Sequence, residues 1–275
     1  MISLIFVEKK GKDKCNGLVG QAWVIESLAF AFEKLNREDC LQEALRLYHT
    51  HPWSPDTALW YRVEIDGTVL SYDPTFNHQL WFAASASILA KYDDKIKKQV
   101  ESFVNKVLLK IQTYDNGVVF HASRMGSVFN YTKEPNFGFI KECKTRLRRI
   151  LQRRSLYSKS VGYHGFNLHA IAMVLENMPG TLDVNSWVIK DLSRAFSDDR
   201  FISSLNKSKF GYFYNVSGFE IAYFLKTLGY EAGVTLDWYD KQLEKTLENE
   251  SHILTKHAPD KNTALARVYE LVRLV

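Results

Sequence analysis

The stretch from Asp73 to Lys91, DPTFNHQLWFAASASILAK, limits what this chain can fold into more than any other. Asp73, Thr75, Asn77, His78 and Gln79 crowd its front, and from Leu80 to Ala90 there is no charge. A helix that is apolar on every side must be packed on every side, so this polar front belongs at the mouth of a buried rod. Three other stretches share the design: Asn16 to Lys34 (NGLVGQAWVIESLAFAFEK), Tyr163 to Glu176 (YHGFNLHAIAMVLE) and Tyr214 to Leu228 (YNVSGFEIAYFLKTL).

One-sided segments lie between them. Asn36 and Asp39 open a helix through Tyr48 with Leu41, Ala44, Leu45 and Tyr48 on one face. Asp94 to Gln112 carries Ile96, Val100, Phe103, Val104, Val107, Leu108 and Ile111 at helical spacing. Val184 to Phe196, Leu236 to Leu247 and Thr263 to Leu274 read as further amphipathic or packing helices. Inner helices touched all round, alternating with outer ones that face water, are what concentric helix layers require.

Turn chemistry interrupts the helices twice. Asp66-Gly67 between Leu59–Ile65 and Val69–Tyr72 marks a hairpin. Tyr114 to Gly138 has turn signals at Asp115-Asn116-Gly117 and reads as a second insertion. With that insertion subtracted, the polar openings at Gln21, His78, His164 and Gly218 recur roughly every fifty to sixty residues. The expected fold is all-α: a single domain over residues 1–275, built as an α/α toroid or incomplete α/α barrel of helical hairpins with small β-hairpin insertions.

Composition narrows the setting. With 275 residues and 46% apolar content the chain buries a large core and is not disordered. Residues 1 to 14 suggest a short strand and a loop. Their five apolar residues precede a lysine cluster, the wrong order for a signal peptide, and no run suits a membrane span. Cys15, Cys40 and Cys143 form neither a disulfide framework nor a zinc pattern. A cytoplasmic protein is expected, with no membrane partner. The net charge of +5 is concentrated in Lys141 to Arg154, a basic helix with an apolar edge at Ile140, Cys143, Leu147, Ile150 and Leu151. It lacks the aromatic interleaving of a nucleic-acid surface, so a solvated face or a contact with an acidic polysaccharide is the simpler reading. The pairs His49/His51 and His164/His169 lack zinc-motif spacing, and no metal or cofactor is expected.

In a layered array the starts of the inner helices line one cleft. That set comprises Asn16, Gln21, Trp23 and Glu26; Asp73, Asn77, His78, Gln79 and Trp81; Tyr163, His164 and Asn167; and Tyr214, Asn215 and Glu220. Amides and carboxylates bind hydroxyls while aromatic faces cover the apolar side of a pyranose, so the set suits a saccharide. Asn16 also reads as an N-cap. Glu220, three residues after Ser217, reads either as a capping-box residue or as a catalytic acid. Glu26, inside an apolar helix, would suit a general acid or pair with an arginine. Asp73, before Pro74, is either a turn residue or a site residue. His78 carries the densest polar neighbourhood and, with His164, could move protons near neutral pH. Trp60 and Arg62, in the hairpin, would place a guanidinium against a sugar carboxylate, or in an edge salt bridge.

The segments NGLVGQAWVIESL, HPWSPDTALWYRVEIDGTVLSYDPTFNHQLWFAAS, GYHGFNLHAIAMV and FGYFYNVSGFEIAYFL resemble the α/α-toroid (six-hairpin glycosidase-like) proteins of bacterial surface-polysaccharide biosynthesis clusters. More distantly they are similar to toroid sugar epimerases of the glucuronyl and N-acylglucosamine kinds. The resemblance covers most of residues 15 to 230, with FNHQLWFA and YNVSGFE its most specific parts. It implies a carbohydrate-facing cleft without naming a catalytic residue. A full toroid has hairpins before the position of Asn16, so an open ring, or one completed by a second copy or partner chain, is expected. Three functions follow: a carbohydrate-active enzyme of epimerase, lyase or glycosidase type, a non-catalytic saccharide-binding or assembly protein, and a basic nucleic-acid-binding helical repeat.

Overall fold

The computed structural model describes residues 14, 16–121, 139–248 and 253–274, with the backbone alone for 139–155. Among these residues the chain is mostly helical, with ten α-helices and one small sheet. It divides into two compact units: one reaches residue 109 and takes in 177–181, and the other holds 110–176 and 182 onward. No described helix is long and apolar enough to cross a membrane. Cys15, the first residues, 122–138 and the side chains of the basic run Lys141 to Arg154, Cys143 among them, lie outside the described set.

The first unit contains α1 (Gly17–Leu35), α2 (Glu38–Thr50), β1 (Trp53–Ser54), β2 (Leu59–Val63), β3 (Val69–Tyr72), α3 (Phe76–Leu89) and α4 (Asp94–Lys106). Every residue of α3 except His78 is buried, as its composition demands. α1 and α3 run in the same direction. Leu18 at the front of α1 meets Asp73, Trp23 packs edge-on against Trp81 with centroids 6.2 Å apart, and Glu33 near the end of α1 pairs with Lys91 just beyond α3. α2 buries one face through Leu41, Ala44 and Tyr48. α4 does so through Ile96, Val100, Phe103 and Val104, with Asp93 capping it through the amides of Lys95 and Ile96. It stops at Lys106, and a 3-10 turn over Leu108–Lys110 follows where the periodicity predicts a helix to Gln112.

The sheet is antiparallel in the order β1-β2-β3, with Tyr61 opposite Tyr72 and Val63 opposite Val69. Its turn is the expected Asp66-Gly67, where Gly67 has φ 86° and Asp66 accepts from the Thr68 amide at 2.9 Å.

The second unit contains α5 (Phe139–Asn177), α6 (Trp187–Ser193), α7 (Asp199–Lys207), α8 (Ser217–Thr227), α9 (Ala232–Thr246) and α10 (Lys261–Arg267). The basic segment and the buried segment from Tyr163, expected as separate helices, form the single helix α5. No proline divides them, and Gly162 and Gly165 are needed for close packing and not as breaks. A Cβ on Gly162 would lie 2.5 Å from Phe210 Cβ, and one on Gly165 would lie 2.7 Å from Glu220 Oε2. Here too the inner helices run in the same direction: Gly162 meets Asn215, Gly165 meets Glu220, and His169 and Glu176 meet Tyr223. α7 falls outside the expected elements although it is locally encoded: Asp198 caps it through the Phe201 amide at 2.7 Å, and Phe201 and Leu205 are buried one turn apart.

Candidate functional site

In the first unit the chemistry gathers where α1 and α3 begin. Asn16 and Gly17 both adopt left-handed backbone, with φ of 56° and 64°, and the Asn16 side chain makes no cap. Asp73, distant in sequence, supplies the cap instead: its Oδ2 accepts from the Leu18 amide at 3.0 Å. The same oxygen lies 2.9 Å from His78 Nδ1, and Oδ1 accepts from the Thr75 amide at 2.9 Å. Burial alone would push this carboxyl up, but the hydrogen bond and charge of His78, with the two amides, hold it below the usual carboxylate range. An ionised carboxylate only accepts, so His78 Nδ1 carries a proton and Nε2 is the nitrogen left for other chemistry. No described protein group bonds Nε2, and the His78 side chain is 22% exposed. Beside it, the buried Asn77 Oδ1 has no hydrogen-bond partner.

The neighbouring candidates are engaged in holding the fold. Gln79 accepts from the Trp60 amide at 3.0 Å and donates to the carbonyls of Trp60 and Asp73 at 2.9 and 3.1 Å, pegging β2 to α3. Trp60 is a core residue whose indole donates to Tyr48 Oη at 3.0 Å, so it offers no face to a sugar. Trp81 and Glu26 are buried, whereas Gln21 and Trp23 are half-exposed on α1. Arg62 bonds Ser71 on the adjacent strand, its Nη2 lying 3.0 Å from the hydroxyl.

The second unit brings Tyr163, Tyr214, Asn215 and Glu220 together. Asn215 Nδ2 donates to the carbonyls of Gly162 and Phe210 at 2.9 and 2.8 Å. Arg267 donates to Asn215 Oδ1 at 3.2 Å, pairs with Glu220 Oε1, lies 2.6 Å from Glu270 Oε1, and stacks over Phe166 at 4.6 Å. Glu220 therefore bonds an arginine and does not close a capping box; no Ser217 side chain caps α8. Burial, partly offset by Arg267, pushes its carboxyl up to about 7. The Tyr163 ring stacks on His121 with centroids 4.1 Å apart and lies 6.4 Å from Tyr214, a half-exposed aromatic surface. Asn167 is buried with Oδ1 unpaired.

His164 is not at a helix start, since α5 runs through it. Its Nδ1 accepts from the Val119 amide at 3.2 Å, its Nε2 lies 3.3 Å from the Leu192 carbonyl, and burial pulls its pKa down to about 4. A fully buried neutral imidazole with both nitrogens engaged holds the core together.

This chain is 32% identical over 271 residues to archaeal glycosylation protein Q of Haloferax volcanii, a match covering 96% of this chain and 73% of that protein. It belongs to the family of archaeal glycosylation protein Q. No protein-family model and no solved structure matches the chain. The relative is archaeal, so the bacterial setting suggested by the motifs is not the one this match supports.

Within this member of the glycosylation protein Q family, two residues that shape these clusters are not marked by the sequence. Gly17 is one: a Cβ there would lie 2.4 Å from Asp73 Oδ2 and 2.6 Å from His78 Nδ1. The Asn16-Gly17 pair was the available signal, because those two residues tolerate left-handed backbone better than others. Arg267 is the second. Its spacing to Glu270 suggests a surface pair, and nothing local marks it as buried.

Proposed function

We propose that this protein acts on a saccharide in a glycosylation pathway, by proton transfer at His78. The observation that carries the reading is the dyad itself: Asp73, fixed by two backbone amides, orients the one residue of α3 that is not buried. In this reading Nε2 takes a proton from the sugar, and Asp73 offsets the charge of the resulting imidazolium. Asn77, Gln21 and Trp23 line the same rim and bind hydroxyls or a ring face. Tyr163, Tyr214 and Asn215 form the corresponding saccharide-binding rim of the second unit. Proton transfer of the epimerase or lyase kind is favoured over hydrolysis, because Asp73 is engaged by His78 and Glu220 by Arg267, whereas hydrolysis by paired carboxylates needs both free to act.

The family relationship supports the substrate class. The parallel inner helices within each unit support the α/α toroid, complete or open, as the wider frame. Incubation with acidic and neutral oligosaccharides in deuterated water tests the chemistry. We expect deuterium at one sugar carbon, with His78→Ala lowering the rate on the order of 10²- to 10⁴-fold. Saccharide binding with no exchange and no bond cleavage would leave a non-catalytic binding protein instead.

A further inference from the structure

A buried line of polar groups ends at the pair of His78 and Asp73. It begins on α4, where Gln99 Oε1 accepts from the Tyr48 hydroxyl of α2 at 2.6 Å. Tyr48 Oη accepts in turn from the Trp60 indole of β2 at 3.0 Å. One side chain then takes up the backbone of Trp60: its N–H donates to Gln79 Oε1 at 3.0 Å, and its carbonyl accepts from Gln79 Nε2 at 2.9 Å. The second proton of Gln79 Nε2 goes to the Asp73 carbonyl at 3.1 Å, and the Asp73 amide donates to the same Trp60 carbonyl at 3.3 Å. Gln99, Tyr48, Trp60, Gln79 and Asp73 are all buried.

The Gln79 carboxamide stands where β3 gives way to α3. With an acceptor and two donors it satisfies both backbone groups of Trp60, as a paired strand residue would, and still holds Asp73. Between Asp73 and His78 the chain bends from strand into helix, through Pro74 and Thr75. The bridge from Gln79 back to the Asp73 carbonyl closes that bend. It ties the backbone that carries Oδ2 to the residue next to the imidazole, while the amides of Leu18 and Thr75 orient the carboxylate itself. Hydrogen bonds of this kind, made away from water, are electrostatically stronger than exposed ones.

We propose that Gln79 is the positioning residue of the dyad: its carboxamide, latched on Trp60, sets where Asp73 Oδ2 meets His78 Nδ1. The consequence for chemistry rests on the proton-transfer reading of His78; the effect on the His78 tautomer does not.

Ring-nitrogen NMR of the full chain, without ligand and at mildly alkaline pH where a histidine ring is neutral, tests it. In the wild type the proton sits on Nδ1. Gln79→Met removes the carboxamide and Gln79→Asn leaves it one methylene short of Trp60; both release Asp73 and move a large share of the proton to Nε2. Tyr48→Phe cuts the line further back, keeps the ring stacked on Phe82 at 5.4 Å, and gives a smaller shift of the same sign. Val104→Ala, a cavity in the buried face of α4, lowers the denaturation midpoint and leaves the tautomer as it is. In deuterium exchange with acidic and neutral oligosaccharides the Gln79 variants lose about 10²-fold in kcat with KM little changed. This tautomer pattern in a chain whose wild type catalyses no exchange would end the proton-transfer reading and support the positioning one. The positioning role is overturned if Nδ1 keeps its proton in a folded Gln79 variant or, should neither fold, in Tyr48→Phe. It is overturned equally if Val104→Ala moves the proton as far as the Gln79 variants do.

Discussion

Gly17 shows how closely one atom can be tied to the chemistry. Its φ of 64° disfavours any side chain, and the space a Cβ would need is taken by Asp73 and His78. Gly229 has a similar φ, 78°, with open space around it, so the two separate backbone strain from contact. Gly229→Ala should cost about 1 kcal/mol, and Gly17→Ala should exceed it by about 1–3 kcal/mol, read from urea denaturation midpoints. Asp73 makes a second prediction. Its folded pKa is depressed, so its contribution to stability is present above the unfolded value of about 3.9 and is lost as pH falls through the lower folded value. Asp73→Asn should flatten the acid limb of a stability-versus-pH curve, and an unchanged limb would contradict the dyad.

Among elements, the seam between α5 and α8 depends on residues with no side chain. Gly165→Ala would press a methyl against Glu220 and the Ser217 backbone and should destabilise by about 1–3 kcal/mol. Arg267→Met would leave Glu220 and Glu270 buried without their cation, with an expected loss of about 3–5 kcal/mol at neutral pH. Glu220 has the opposite sign to Asp73. With its folded pKa raised to about 7, its contribution is full below the unfolded value and is lost as pH rises through about 7. Glu220→Gln should therefore reduce the decline in denaturation midpoint between mildly acidic and mildly alkaline pH. The rank of α3 as a buried helix was legible because an uncharged run has one physical explanation. The unity of α5 was not, since a basic, one-sided half and an apolar half read as two helices when only local periodicity is used. Asn16 misled for a related reason: capping chemistry is usually local, and the cap came from Asp73 across a tertiary contact.

At the scale of the whole molecule, the first unit sets the polar fronts of α1 and α3 side by side, whereas the second sets the polar front of α8 against the middle of α5. Sequence alone could nominate the polar fronts; it could not tell an engaged side chain from an available one. His164, Gln79 and Trp60 have the right composition for a site and are engaged by backbone or core, whereas His78 keeps a nitrogen outside. The central claim, that His78 meets a saccharide through Nε2 while Asp73 holds Nδ1, is tested most directly by ring-nitrogen NMR of His78 during saccharide titration. The account predicts a protonated Nδ1 that stays put and an Nε2 resonance that moves with bound ligand. Saturating saccharide binding with both His78 nitrogens unmoved would contradict it.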